Sequence, residues 1–140
     1  MNNHNRMNAV VHFEMPFEDK DRMVTFYETV FGWKMTKLGS DMMDYVLART
    51  AEPSKEHDEQ YKENARGTIG GGFYPKDPES LAQYPSVVIA VDDIRESMAL
   101  ISKNGGKVLG EPMDIPGTGA YVSFLDTEGN RASILQPTPM

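Results

Sequence analysis

The sequence predicts an α+β fold made of two βαβββ modules whose curved mixed sheets surround a cleft. Three observations predict it. Residues 10–33, VVHFEMPFEDKDRMVTFYETVFGW, run from an alternating strand pattern through a turn into an amphipathic helix. The same order of strand, helix and three strands returns in the second half. Between the halves lies a proline-rich polar stretch, residues 75–85. A chain of 140 residues suits one domain, 1–140, built from modules at about 9–74 and 86–137.

In the first module, residues 9–15 read as a strand, closed by Pro16 because proline donates nothing to a sheet ladder. Asp19 or Asp21 then caps a helix. Met23, Phe26, Tyr27, Val30 and Phe31 recur at helical spacing and are expected to pack against the sheet, and Gly32 ends the helix. Residues 33–38 and 42–49 read as two strands joined through Gly39, Ser40 and Asp41. Residues 51–66 form a polar excursion, and Gly70, Gly71 and Gly72 sit in a closing strand whose missing side chains allow close approach.

The second module opens with a strand at 87–91, followed by Asp92 as the expected cap of a helix with Ile94, Met98 and Ile101 on its apolar face. Asn104, Gly105 and Gly106 stop that helix. Strands are expected at 107–111, 120–125 and 132–136. The first two are joined by a loop containing Pro116, Gly117 and Gly119, and the last two by the turn 126–130.

Composition narrows the function. With 14 Lys and Arg against 21 Asp and Glu the net charge is −7, which argues against nucleic acid as a partner. There is no cysteine, hence no thiolate nucleophile or disulfide framework. No run of about 20 apolar residues is present, so no membrane partner is expected and the cytoplasm is the default compartment. Nor is there a GxSxG segment, a GxGxxG fingerprint or a phosphate-binding loop.

The polar pair on the first strand carries the chemistry. His12 and Glu14 are two residues apart and therefore share one strand face, where His12 could serve as a general base with Glu14 beside it. An imidazole and a carboxylate are also acceptable ligands for a divalent metal. Tyr45 and Tyr121 each place a hydroxyl near a predicted strand, while His57 and Asp58 belong to the polar excursion.

Three segments, HFEMPFEDKDRMVTFYETVFGW at 12–33, VDDIRESMALISKNGGKV at 91–108 and FLDTEGNRASILQ at 124–136, resemble the vicinal oxygen chelate superfamily in order and spacing. That superfamily includes glyoxalase I, extradiol dioxygenases and bleomycin-resistance proteins. The resemblance implies paired βαβββ modules and, in members that bind one, a divalent metal held by the first and last strands of each module. His12 falls on the first-strand ligand position. The matching positions of the second half are Ser86 and Ser133, and the fourth falls within residues 70–72, where glycine offers no ligand. Ser86 and Ser133 are therefore expected, with Tyr45 and Tyr121, to line a ligand cleft.

Three functions stay open. The first is a small-molecule-binding enzyme, a metal-assisted lyase, isomerase or dioxygenase acting through His12 and Glu14. The second is a nonenzymatic ligand-sequestering or resistance protein, and the third is a structural or regulatory interaction module. The expected partner is a small molecule, and the expected assembly a homodimer.

Overall fold

The chain divides into two compact units, one spanning His12–Pro85 and the other joining Met1–Val11 to Ser86–Met140. The computed structural model describes residues 7–51, 67–80 and 83–139. Among the described residues each unit holds one α-helix against strands in mixed parallel and antiparallel pairing, as an α+β fold requires. The polar excursion with His57 and Asp58 lies outside the described residues.

In the first unit the order is β1 (Val10–Phe17, its first two residues belonging to the other unit), α1 (Lys20–Phe31), β2 (Lys34–Lys37), β3 (Val46–Arg49) and β4 (Gly70–Pro75). The strands lie side by side as β2-β3-β4-β1, with β1 parallel to β4 and the other pairs antiparallel. Asp19 caps α1 by accepting a hydrogen bond from the Arg22 amide at 3.0 Å. At the other end Gly32, with φ 71°, takes the left-handed conformation that favours glycine.

Val24, Val46, Ala48 and Phe73 form the buried centre of this unit, flanked by Phe13, Met15, Tyr27 and Trp33. Tyr27 stacks on Trp33 with ring centroids 4.9 Å apart and meets Phe73 at 5.1 Å. Because side chains alternate along a strand, Phe13, Met15 and Phe17 join this core while His12 and Glu14 take the opposite face.

Several expectations are corrected here. Pro16 does not close β1, since the Phe17 carbonyl still accepts from the Lys76 amide at 2.8 Å. Successive residues direct their backbone groups to opposite sides, so the residue beside Phe17 can lack an N–H without breaking the ladder to β4. Residues 42–45 are not strand. Ser40–Met42 form one 3-10 turn, and Met43 and Asp44 both adopt φ 57° before β3 begins. On α1 the packed residues are Met23, Val24 and Tyr27, whereas Phe26, Val30 and Phe31 are 52%, 55% and 59% exposed. The five apolar positions cover more of the helix circumference than one sheet can bury.

The second unit contains β5 (Ser86–Ala90), α2 (Ile94–Lys103), β6 (Lys107–Ile115), β7 (Gly119–Leu125) and β8 (Arg131–Pro137). They lie as β5-β8-β7-β6, with β5 parallel to β8. Ile94, Val122, Ile134 and Val91 are the buried centre, with Met98, Ile101 and Phe124 against them. Asp93, not Asp92, caps α2, accepting from the Glu96 amide at 3.1 Å. Either aspartate suits the motif, but only Asp93 stands three residues before an amide that points back at it. The strand β6 is longer than expected because an irregularity between Leu109 and Met113, with Gly110 at φ 94°, carries pairing past the proline at 112.

The packing of the first unit predicts the cost of filling its glycine strand. A Cβ at Gly71 would overlap the Phe13 ring. Gly71→Ala should therefore lower unfolding stability by about 1–3 kcal/mol, measured by denaturant titration, because a packed ring must move.

Candidate functional site

The face of the first unit turned away from α1 brings together three of the residues singled out from the sequence. His12 Nε2 lies 2.9 Å from the Tyr45 hydroxyl, which donates to Glu14 Oε2 at 3.0 Å. Glu14 is only 7% exposed, so this contact meets part of the hydrogen-bonding need of a buried carboxylate. The register explains how a tyrosine from β3's leading edge reaches them. Glu14 is paired with Gly72, and a Cβ at Gly72 would run into the Tyr45 ring and hydroxyl. Glycine at that position is what leaves room for the phenol.

The backbone aims Tyr45 as well. Two consecutive left-handed residues, Met43 and Asp44, turn the chain immediately before it, and the Tyr45 carbonyl accepts from the Leu38 amide at 2.9 Å. Lys20 on α1 reaches Asp44 Oδ1 at 3.5 Å. Non-glycine residues in this conformation are uncommon and cost conformational energy, so surrounding contacts must hold them.

The hydrogen-bond directions fix the state of His12. The single hydroxyl hydrogen of Tyr45 goes to Glu14, so the phenol oxygen can only accept from His12, whose Nε2 must carry a proton. Burial pushes the His12 pKa below the ordinary 6.5, against the opposing pull of the Glu14 charge. Near pH 7 the ring is then neutral, with its lone pair on Nδ1. That nitrogen has no hydrogen-bond partner among the described residues.

The other three residues meet in the second unit, again on the strand face opposite its helix. Ser133 is fully buried and its hydroxyl donates to Tyr121 at 2.8 Å while lying 2.8 Å from the Ser123 hydroxyl. Arg131 supplies the head of this chain, donating to Ser123 at 3.2 Å and to Ser86 at 3.4 Å. Donation runs from guanidinium through Ser123 and Ser133 to Tyr121. Arg131 and Ser123 escaped the sequence reading. Each lies two residues from a named one, Ser133 and Tyr121 respectively, so strand alternation was the available signal.

These residues do not fit the divalent metal that the resemblance implies. His12 stands at its position, but the space beside Gly72 holds the Tyr45 phenol, and Ser133 is sealed between two hydroxyls. Among the described residues no group of three or more His, Cys, Asp or Glu could hold a metal ion. No step is assigned to one.

The sequence profile of the Glyoxalase/Bleomycin resistance protein/Dioxygenase superfamily matches residues 9–134. The chain belongs to that superfamily. It is 27% identical over 135 residues to the putative glyoxylase CFP32 of Mycobacterium bovis, covering 96% of this chain and 46% of that protein, so it spans about half the length of this relative. A glyoxylase-like domain-containing protein of Didymella fabae is 28% identical over 128 residues, covering 86% of this chain and 88% of that one. Among solved structures, methylmalonyl-CoA epimerase from Mycobacterium tuberculosis has a TM-score of 0.65 at 13% identity, covering 94% of this chain and 89% of the epimerase. A hypothetical protein from Bacillus halodurans has a TM-score of 0.67 at 13% identity, with 96% and 98% covered. Identities at this level speak for the fold alone. Among the described residues no helix is long and apolar enough to cross a membrane.

The state of His12 has a measurable signature. Its imidazole should titrate below pH 6.5 in the folded protein, and Glu14→Gln should lower the value further by removing the charge that opposes burial. Because the unfolded chain then binds the proton more tightly, stability should fall as pH drops from 6.5 through the native value. NMR titration of the imidazole Cε1 proton, assigned with His12→Gln, and denaturation across that window check both signs.

Proposed function

We propose that the chain binds a small organic molecule beside His12 and that the imidazole exchanges a proton with it. The supporting observation is the Nε2 to Tyr45 to Glu14 chain, 2.9 and 3.0 Å long, which orients the ring and sets its tautomer. A neutral imidazole with Nδ1 available is a weak base suited to a hydrogen already acidified by a neighbouring carbonyl group. As Nδ1 takes that proton the ring becomes cationic. The Glu14 carboxylate, reached through the phenol, stabilises that charge much as a buried acid steadies a histidine base. Return of the proton to another carbon gives isomerisation. Where the imidazolium keeps the proton, the carbanion pair instead forms a double bond to the neighbouring carbon as a leaving group departs from that carbon with its bonding electrons, which is lyase chemistry.

This reading also fits the words that name its relatives, glyoxylase and epimerase, without importing their substrates. Ligand sequestration is the second reading. It uses the same polar group as a hydrogen-bond acceptor with no turnover. Assembly as a homodimer in the cytoplasm completes the proposal, supported by the exposed apolar surface of Phe26, Val30 and Phe31 on α1.

Hydrogen exchange from carbon tests the proposal directly. In deuterated buffer, a panel of small ketones, α-hydroxyketones and acyl thioesters should include at least one whose α-hydrogen is replaced faster with protein, followed by proton NMR. His12→Gln should lower that rate by about 10²–10⁴-fold, and Tyr45→Phe by a smaller factor, since the base survives without its orienting phenol. Saturable binding with no exchange above background would select sequestration. Exchange that survives His12→Gln would remove His12 from the reaction.

A further inference from the structure

On the helix side of the first unit, where the end of β1 meets the first turn of α1, a cavity of about 350 Å³ is lined on its apolar part by Met15, Phe17, Met23, Tyr27 and Phe73, and its lining also includes the exposed, charged Glu18, Asp19 and Arg22. It is distinct from the polar constellation. Met15 and Phe17 alternate along β1 with His12 and Glu14 and so project to the other face of the sheet. Two thioethers and three rings make an apolar, adaptable wall of the kind that accepts varied small ligands.

Among these five residues the polar side-chain atom is a phenol oxygen. The hydroxyl of half-buried Tyr27 is directed at the Met15 sulfur at 3.9 Å, and a thioether is a weak acceptor. A ligand oxygen in the cavity would offer that phenol a far better one. Both carboxylates of the lining already have partners. Asp19 accepts from the Arg22 amide at 3.0 Å, and Glu18 lies 3.8 Å from the Lys76 ammonium. The charged part of the lining is exposed to solvent and carries both signs, Glu18 and Asp19 against Arg22, so it favours neither ligand charge.

We propose that this cavity is a binding site for a compact, neutral, mainly apolar molecule carrying one carbonyl or ether oxygen, which accepts the hydrogen bond of Tyr27. Its volume, near the lower end for small-molecule sites, sets the size at about nine to fifteen non-hydrogen atoms. Trp33, the chain's one tryptophan, is stacked on Tyr27 at 4.9 Å and reports occupancy.

The test titrates the full chain with two probes of equal shape, acetophenone and α-methylstyrene, which differ in one carbonyl oxygen. Binding is read from the indole N–H resonance of Trp33 and the backbone amides. Saturable shifts at Trp33, Met23, Tyr27 and Phe73 are expected. The ratio of acetophenone to α-methylstyrene affinity should fall roughly three- to tenfold in Tyr27→Phe, the loss of one hydrogen bond. His12→Ala should leave both affinities unchanged, which separates this site from the proton-transfer proposal. Absence of saturation up to probe solubility, shifts confined to the surroundings of His12 and Tyr45, or an affinity ratio unchanged in Tyr27→Phe would each overturn the assignment. The shift map in the wild type decides the location even if the variant folds poorly.

Discussion

The phenol of Tyr45 laid across Gly72 is the contact from which the polar face of the first unit takes its form. A side chain at residue 72 would overlap the ring, and without the ring the buried Glu14 would lose the donor 3.0 Å from its oxygen. Removing one partner of a buried charged group costs its desolvation, so the glycine, the tyrosine and the carboxylate are one constraint. The imidazole state follows from it, since the direction of the phenol hydrogen decides which nitrogen of His12 carries the proton.

The second unit solves a similar problem with different chemistry. Its strand face carries hydroxyls in sequence, headed by the Arg131 guanidinium and ending on Tyr121. In the first unit an imidazole and a carboxylate meet across one phenol, while in the second a guanidinium heads a chain of hydroxyls. Serine at 133 is thus a link between hydroxyls, which accounts for a small polar residue being fully buried where the superfamily resemblance placed a metal ligand.

Local signals in the sequence carried most of the fold. Asp19 followed by an apolar repeat, Gly32 after the last turn and alternating apolar residues on β1 are all satisfied within a few residues, so the chain displays them openly. The misreadings fall where non-local geometry decides. Residues 42–45 have strand-like side chains, but Met43 and Asp44 turn left-handed to present Tyr45. Phe26 and Val30 are as apolar as any core residue, yet the width of the sheet leaves them outside. For the candidate site, His12 and Glu14 were legible as neighbours on one strand. Their link to Tyr45 was not, because it depends on the register of β1 with β4 and on a missing side chain at Gly72.

The pair of left-handed residues before Tyr45 has an evolutionary implication. Glycine or asparagine at 43 or 44 would relieve a backbone conformation that methionine and aspartate adopt at a cost, so sequence drift towards greater robustness is close at hand. The same relief would widen the range of directions in which the phenol points. Retention of side-chain-bearing residues there is therefore informative about selection: where stability alone governs, the turn should relax, and where the orientation of the phenol governs, it should stay tight.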